Sequence, residues 1–105
     1  MLAFCAYYEG KVKGSEEEFD RYVREVHMPL VAKYPNLLQL RYLKGEEGAK
    51  FYLAFELFFK DWDAFEVAKV SAERTAAIED AEILNAMFDG VITHVTYQNN
   101  EIAVP

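Results

Sequence analysis

The two histidines are the side chains of this sequence best suited to acid–base chemistry. His27 stands in a segment with helical spacing, inside the arc formed by the apolar positions Val23, Val26, Leu30 and Val31. An imidazole in that arc faces the protein interior, and histidine is the side chain that titrates nearest to neutral pH. His27 is therefore the predicted catalytic residue, acting as a general acid, a general base or a hydrogen-bond donor to a carbonyl ligand.

Pro29, two residues further along, offers two interpretations of His27. Proline within a helix removes a backbone donor and clashes one turn back, so we expect a kink or a break there. A kink would open a cavity beside His27. Alternatively, His27 is a core residue that bonds the carbonyl freed by Pro29, with no ligand involved.

Three more residues are predicted to bind substrate. His94 lies in the middle of a predicted strand, where it either shares a pocket with His27 or packs as a polar residue against a partner subunit. Trp62 and Phe65 lie on a second predicted helix and would wall an aromatic pocket, although core packing accounts for them about as well.

Several other kinds of site are not expected. Cys5 is the only cysteine, so it has no internal disulfide partner, and its apolar neighbours indicate a small buried residue. Two histidines on separate elements do not make a metal site. The sequence has no Gly-rich phosphate loop, nucleophile elbow or dinucleotide fingerprint. We therefore predict neither a metal nor a cofactor.

Composition restricts the classes of partner. The 105 residues are enough for one domain, spanning 1–105, and 52% of them are hydrophobic. The formal charge of −7 would repel phosphate backbones and anionic membrane surfaces, so neither nucleic acid nor membrane is expected as a partner. There is no apolar run of about 18 residues and no basic segment before the first apolar stretch, so cytoplasmic residence is expected.

The elements that must position these residues alternate between strand and helix periodicity. Strands are predicted at residues 2–9, 37–44, 51–59 and 91–98. Helices are predicted to begin after the caps Ser15, Asp61 and Ser71, with Ser15 and Glu18 forming a capping box. The order β-α-β-β-α-β predicts an α+β, ferredoxin-like domain with a four-stranded antiparallel sheet and helices on one face.

Both faces of this predicted sheet are apolar. The third strand places Phe55 and Leu57 on one face and Ala54 and Phe58 on the other. Because one layer of helices covers only one face, we expect a homodimer in which the second face packs against another subunit. Arg41 and Glu56 lie on adjacent strands of that face, where they are expected to form a charged contact at the interface.

Short motifs, taken in order, resemble the EthD family of dimeric α+β barrel proteins. These are residues 19–22, the sequence His27-Met28-Pro29-Leu30 and the turn at 34–37. Ser71, Glu73 and Asp80 match the family's Ser-x-Glu stretch with a later Asp, and residues 90–94 resemble its closing strand. From their positions alone, these three residues read as caps and helix-end contacts rather than catalytic groups.

The resemblance implies a face-to-face dimer with a small-molecule pocket between sheet and helices. Family members are often described as oxidoreductase-related, and related barrels include monooxygenases, isomerases and cyclases, among which fold alone does not choose. Whether the chain is an enzyme therefore stays open at this point. One hypothesis is a protein that binds or transforms an apolar, oxygen-bearing metabolite with His27. The alternative is a non-catalytic accessory or metabolite-binding dimer that supports a partner oxidase.

Overall fold

The computed structural model describes all 105 residues of the chain. Its elements are β1 (Leu2–Val12), α1 (Glu16–Tyr22), a π-helical turn (Val23–His27), α2 (Met28–Val31), β2 (Gln39–Lys44), β3 (Leu53–Phe59), α3 (Trp62–Lys69), α4 (Ala72–Ala86) and β4 (Phe88–Gln98). None of the helices has the length and apolar content that crossing a lipid bilayer requires.

The four strands form one antiparallel sheet in the order β2-β3-β1-β4. The central strands, β1 and β3, are the most apolar ones, and β3 is buried at six of its seven positions. The helices pack on one face of the sheet, over a core that includes Phe19, Leu53, Phe59 and Leu84. This arrangement confirms the predicted α+β, ferredoxin-like fold.

The strands β1 and β4 run further than the sequence patterns predict. The first predicted strand stops at residue 9 and the last starts at residue 91, but Gly10 and Gly90, just outside these ranges, pair with each other within the ladder. A Cβ on Gly90 would lie 2.1 Å from the carbonyl oxygen of Glu9, and Gly10 has a φ of +145°. These glycines let two backbones approach closely, so they continue the sheet instead of ending it.

The first helix begins at the predicted cap, since the Ser15 hydroxyl accepts a hydrogen bond from the Glu18 backbone N–H at 3.1 Å. The reciprocal bond of a capping box, from the Ser15 N–H to the Glu18 carboxylate, does not form. The expected disturbance near Pro29 takes the form of a π-helical turn. Here the Met28 N–H donates to the carbonyl of Val23, five residues back, and α-helix resumes with Pro29 in its first turn. A turn of this kind accommodates one extra residue and rotates the side chains after it.

The other two helices start at the predicted caps. The Asp61 carboxylate accepts from the Ala64 N–H, and the Ser71 hydroxyl accepts from the Arg74 N–H. Helix α3 is anchored through Phe65 and Ala68, whereas α4 buries Ala77, Asp80 and Leu84. A charged residue within the buried face of α4 is unusual, because carboxylates are rarely buried without a partner.

The sheet face opposite the helices has no covering layer within the chain. It carries a small buried cluster of Ala3, Cys5 and Phe58, and around this cluster apolar side chains lie open to solvent, with Val91 62% exposed. Arg41 and Glu56 are direct cross-strand neighbours on this face, as expected, with Nη1 and Oε1 3.8 Å apart.

Candidate functional site

A cavity of about 350 Å³ lies between the sheet and helix α4, at the small end of the range for ligand-binding pockets. The sheet, the π-helical turn with α2, and α4 all contribute to its wall. Most of the lining is apolar or aromatic. The polar side chains on the wall are Tyr8, His27, Tyr34, Arg74, Glu82, Asn85 and His94.

His27 is on the wall of this cavity and is 5% exposed. Its Nδ1 lies 2.9 Å from Oδ2 of Asp80. The interpretation in which His27 bonds the carbonyl freed by Pro29 is therefore wrong, since the partner of the ring is a carboxylate on another helix. Nε2 makes no hydrogen bond within the protein and is free to meet a ligand.

Asp80 holds His27 in place. Its second oxygen, Oδ1, accepts a hydrogen bond from the Tyr22 hydroxyl. That hydrogen bond, together with burial and the charge of Asp80, raises the pKa of Tyr22 to about 12. The prediction that Asp80 is a helix-end contact is wrong, because it is the ninth of the 15 residues of α4 and is 9% exposed.

Tyr8 and Asn85 form a second polar pair on the wall. The Tyr8 hydroxyl donates to Oδ1 of Asn85, and burial raises the pKa of this tyrosine well above its usual range. Tyr8 therefore stays neutral. Since Oδ1 of Asn85 is occupied by Tyr8, the amide N–H groups of Asn85 are available to a ligand oxygen.

His94 lies on the same cavity wall as His27, so the structure brings the two histidines to one site. Its ring stacks on Phe4, with ring centres 5.6 Å apart. Burial and the nearby charge of Arg74 lower the pKa of His94 below its ordinary value of 6.5. His94 is consequently neutral at pH 7 and packs against a residue of its own subunit.

The structure does not place Trp62 and Phe65 in the cavity that contains His27. Phe65 is 5% exposed and packs in the core between Phe4 and Phe59, with both ring-centre distances at 5.2 Å. Trp62 is 54% exposed and borders a different surface pocket near the chain start, beside Met1. Because α3 covers the β1 start and the β3 end, its aromatic residues lie away from the π-helical turn.

Several residues that line the cavity were not predicted from the sequence. Arg74 and Asn85 come from α4, and Tyr34 follows α2. Helical spacing was the available signal, because positions 74, 77, 78, 81 and 85 form one stripe of α4. That stripe mixes small, apolar and polar residues, so it was not recognisable as a cavity wall.

Cys5 is buried and free, and burial raises the pKa of its thiol. No cluster of three His, Cys, Asp or Glu side chains has the geometry of a metal site.

Several proteins of known structure share the fold of this chain. An ethyl tert-butyl ether (EthD) family protein from Bacillus halodurans superposes with a TM-score of 0.79, at 23% identity, over 95% of this chain and 99% of that chain. SnoaB, a cofactor-independent oxygenase from Streptomyces nogalater, gives 0.69 at 20% identity over 96% and 94%. A dimeric ferredoxin-like protein from Thermobifida fusca gives 0.67 at 14% identity over 91% and 88%.

Comparison with curated proteins gives no match. The model of the EthD domain matches residues 13–85, a stretch that contains Tyr22, His27, Arg74 and Asp80. The resemblance drawn from the short motifs is confirmed by this match. As the match spans well over half of the chain, this protein belongs to the EthD domain family.

Proposed function

We propose that this protein binds a small, largely apolar, oxygen-bearing metabolite in the cavity and transforms it without a cofactor, with His27 transferring the proton. The observation that carries this proposal is the hydrogen-bonded pair formed by Asp80 and His27, of which His27 lines the cavity. A buried histidine with one nitrogen fixed by a carboxylate and the other facing a ligand-sized space has the arrangement of a general base.

The tautomer of His27 follows from the chemistry of Asp80. An ionised carboxylate only accepts hydrogen bonds, so Nδ1 of His27 carries the proton that it shares with Oδ2. Nε2 then presents a lone pair to the cavity. After His27 takes a proton from the ligand, the adjacent carboxylate stabilises the resulting imidazolium, as in other histidine–carboxylate pairs.

The cavity lining favours a carbon acid as substrate. Removal of a proton next to a carbonyl group leaves an enolate, and the Asn85 amide is available to donate to its oxygen. The same first step serves isomerisation, cyclisation and reaction of the enolate with molecular oxygen. Among these, the shared fold with a cofactor-independent oxygenase supports oxidation, with O₂ as the oxidant.

Exchange of carbon-bound hydrogen in D₂O tests this proposal directly. We expect the protein to accelerate deuterium incorporation next to the carbonyl of 2-tetralone, an apolar bicyclic ketone, because Nε2 of His27 would remove that proton reversibly. Proton NMR measures the exchange, and ligand-observed NMR measures binding under the same conditions. If 2-tetralone binds without accelerated exchange, the protein is a binding module and the catalytic part of the proposal fails.

We further propose a homodimer formed through the open face of the sheet. Exposed apolar side chains gathered on one sheet face, here Leu43, Val91 and Tyr97, are typical of an interaction surface. One ferredoxin-like protein of known structure that shares this fold is described as dimeric. We expect Val95→Arg, on the open face beside Cys5, to shift the protein from dimer to monomer in sedimentation velocity at micromolar concentration, because it places a charge in an apolar contact.

The control for this substitution is Val70→Arg. Val70 is 84% exposed at the end of α3, away from the open face, so the same change should leave the dimer intact. A wild-type protein that sediments as a monomer would contradict the proposed dimer.

A further inference from the structure

We infer that Arg74, Tyr34 and His94 form a subsite for a carboxylate group of the ligand, so that the metabolite is an apolar acid held by its anionic end. This inference rests on the proposed function, because it concerns the same cavity. It adds a substrate class, small aromatic or unsaturated carboxylic acids, and an orientation of the ligand relative to His27.

Arg74 is the only cationic side chain on the cavity wall, apart from histidines. It has no carboxylate partner within 4.0 Å, although the chain has 18 acidic and 11 basic residues. One of its Nη atoms donates to the backbone carbonyl of Lys69 at 3.2 Å, which fixes the side chain and leaves further N–H donors. An unpaired guanidinium beside an apolar cavity suits a planar carboxylate.

The side chains of Tyr34 and His94 lie near the charge of Arg74. Arg74 acts electrostatically on both side chains, and neither of them forms a hydrogen bond within the protein. The Tyr34 hydroxyl is therefore able to donate to an anionic oxygen. His94 is neutral, so one of its ring nitrogens carries a proton and provides a further donor.

The charged residues of α4 indicate how an anionic ligand would be oriented in the cavity. Glu82 stands on the same wall, about 12 Å further along the helix axis from Arg74 at a rise of about 1.5 Å per residue. Asp80 and its partner His27 lie between them. A ligand carboxylate is attracted by Arg74 and repelled by Glu82, so the rest of the molecule extends along the aromatic wall toward His27.

Two ligands of matched shape test the subsite. We expect the wild-type protein to bind 2-naphthoate at least about 10-fold more tightly than 2-naphthalenemethanol, which has the same ring system and a neutral oxygen. Arg74→Gln should weaken binding of 2-naphthoate by about 10-fold or more and change binding of the alcohol by less than about twofold. Isothermal titration calorimetry at pH 7 and low ionic strength gives all four dissociation constants.

Lys69→Gln is the matched control, because it removes a neighbouring cation that pairs with Glu66 and does not line the cavity. It should leave both affinities unchanged within about twofold. Equal affinities of the wild type for the two ligands, no binding of either, or equal weakening of both by Arg74→Gln would each overturn the inference. These measurements involve no proton transfer, so the carboxylate preference stands or falls independently of catalysis by His27.

Discussion

His27→Gln should reduce the protein-catalysed deuterium exchange of 2-tetralone by about 10²- to 10⁴-fold, the range that a positioned general base contributes. Glutamine has no basic nitrogen, but its size and polarity let it stay in the place of the buried ring. Binding of 2-tetralone should change much less than the exchange rate, since most of the cavity wall remains. Rates from proton NMR and dissociation constants from ligand titration separate the two effects.

Asp80→Asn provides the companion variant for this prediction. An asparagine has one acceptor oxygen where Asp80 has two, so it cannot serve both Tyr22 and Nδ1 of His27 as Asp80 does. Its amide N–H₂ would favour the tautomer of His27 that carries the proton on Nε2. In that tautomer Nε2 has no free lone pair, so it is unable to remove a proton from the ligand. We expect the exchange rate to fall by at least about 10-fold, less than for His27→Gln. An unchanged rate in both variants would remove His27 from the mechanism.

The fold was predictable because its local signals agree with one another. Ser15, Asp61 and Ser71 each cap a helix where the sequence has a hydrophilic residue before an apolar stripe. The ends of β1 and β4 were predicted wrongly at Gly10 and Gly90. Glycine often terminates a strand, but these two residues pair with each other across the two strands. Whether a glycine ends a strand or admits a close neighbour depends on a pairing partner about 80 residues away, which local patterns do not contain.

The site was predictable only in part, for the same reason. His27 was identifiable because helical spacing turns it inward and Pro29 disturbs the backbone beside it. Its partner Asp80 lies 53 residues further along the chain, on a helix whose position relative to the π-helical turn is set by tertiary packing. Charged residues on a helix are normally solvated, so the helical pattern did not distinguish Asp80 from Glu79 next to it. Only the resemblance to the EthD family singled out Asp80, and it gave no partner for the carboxylate.

The π-helical turn links the disturbance near Pro29 to the orientation of His27. It ends at His27, and it widens the helix directly before Pro29, where a regular α-helical bond is unavailable. The turn therefore sets the rotation of the imidazole toward the sheet and toward Asp80. An irregular backbone segment that presents a buried ionisable side chain to a cavity is more common at functional sites than in ordinary core packing.

Phe65→Ala should lower the free energy of unfolding by about 3–5 kcal/mol, a large share of the stability of a domain of this size. Phe65 is almost fully buried, and its ring packs against Phe4, Phe59 and Trp62. Truncation leaves a space where α3 meets the sheet and detaches that helix from its main apolar anchor. Urea denaturation followed by circular dichroism measures the change.

Two further variants, Phe65→Leu and Trp62→Ala, distinguish a core role from a ligand-binding role for Phe65. Phe65→Leu keeps most of the volume and should cost less than about 1.5 kcal/mol. Trp62→Ala removes a side chain that is more than half exposed, so its cost should also be clearly below that of Phe65→Ala. If Phe65→Ala instead cost under about 1 kcal/mol and abolished binding of 2-tetralone, Phe65 would belong to the ligand site. The ring contacts to Phe4 and Phe59 favour the first outcome, because they enclose Phe65 on the side of α3 that faces the sheet.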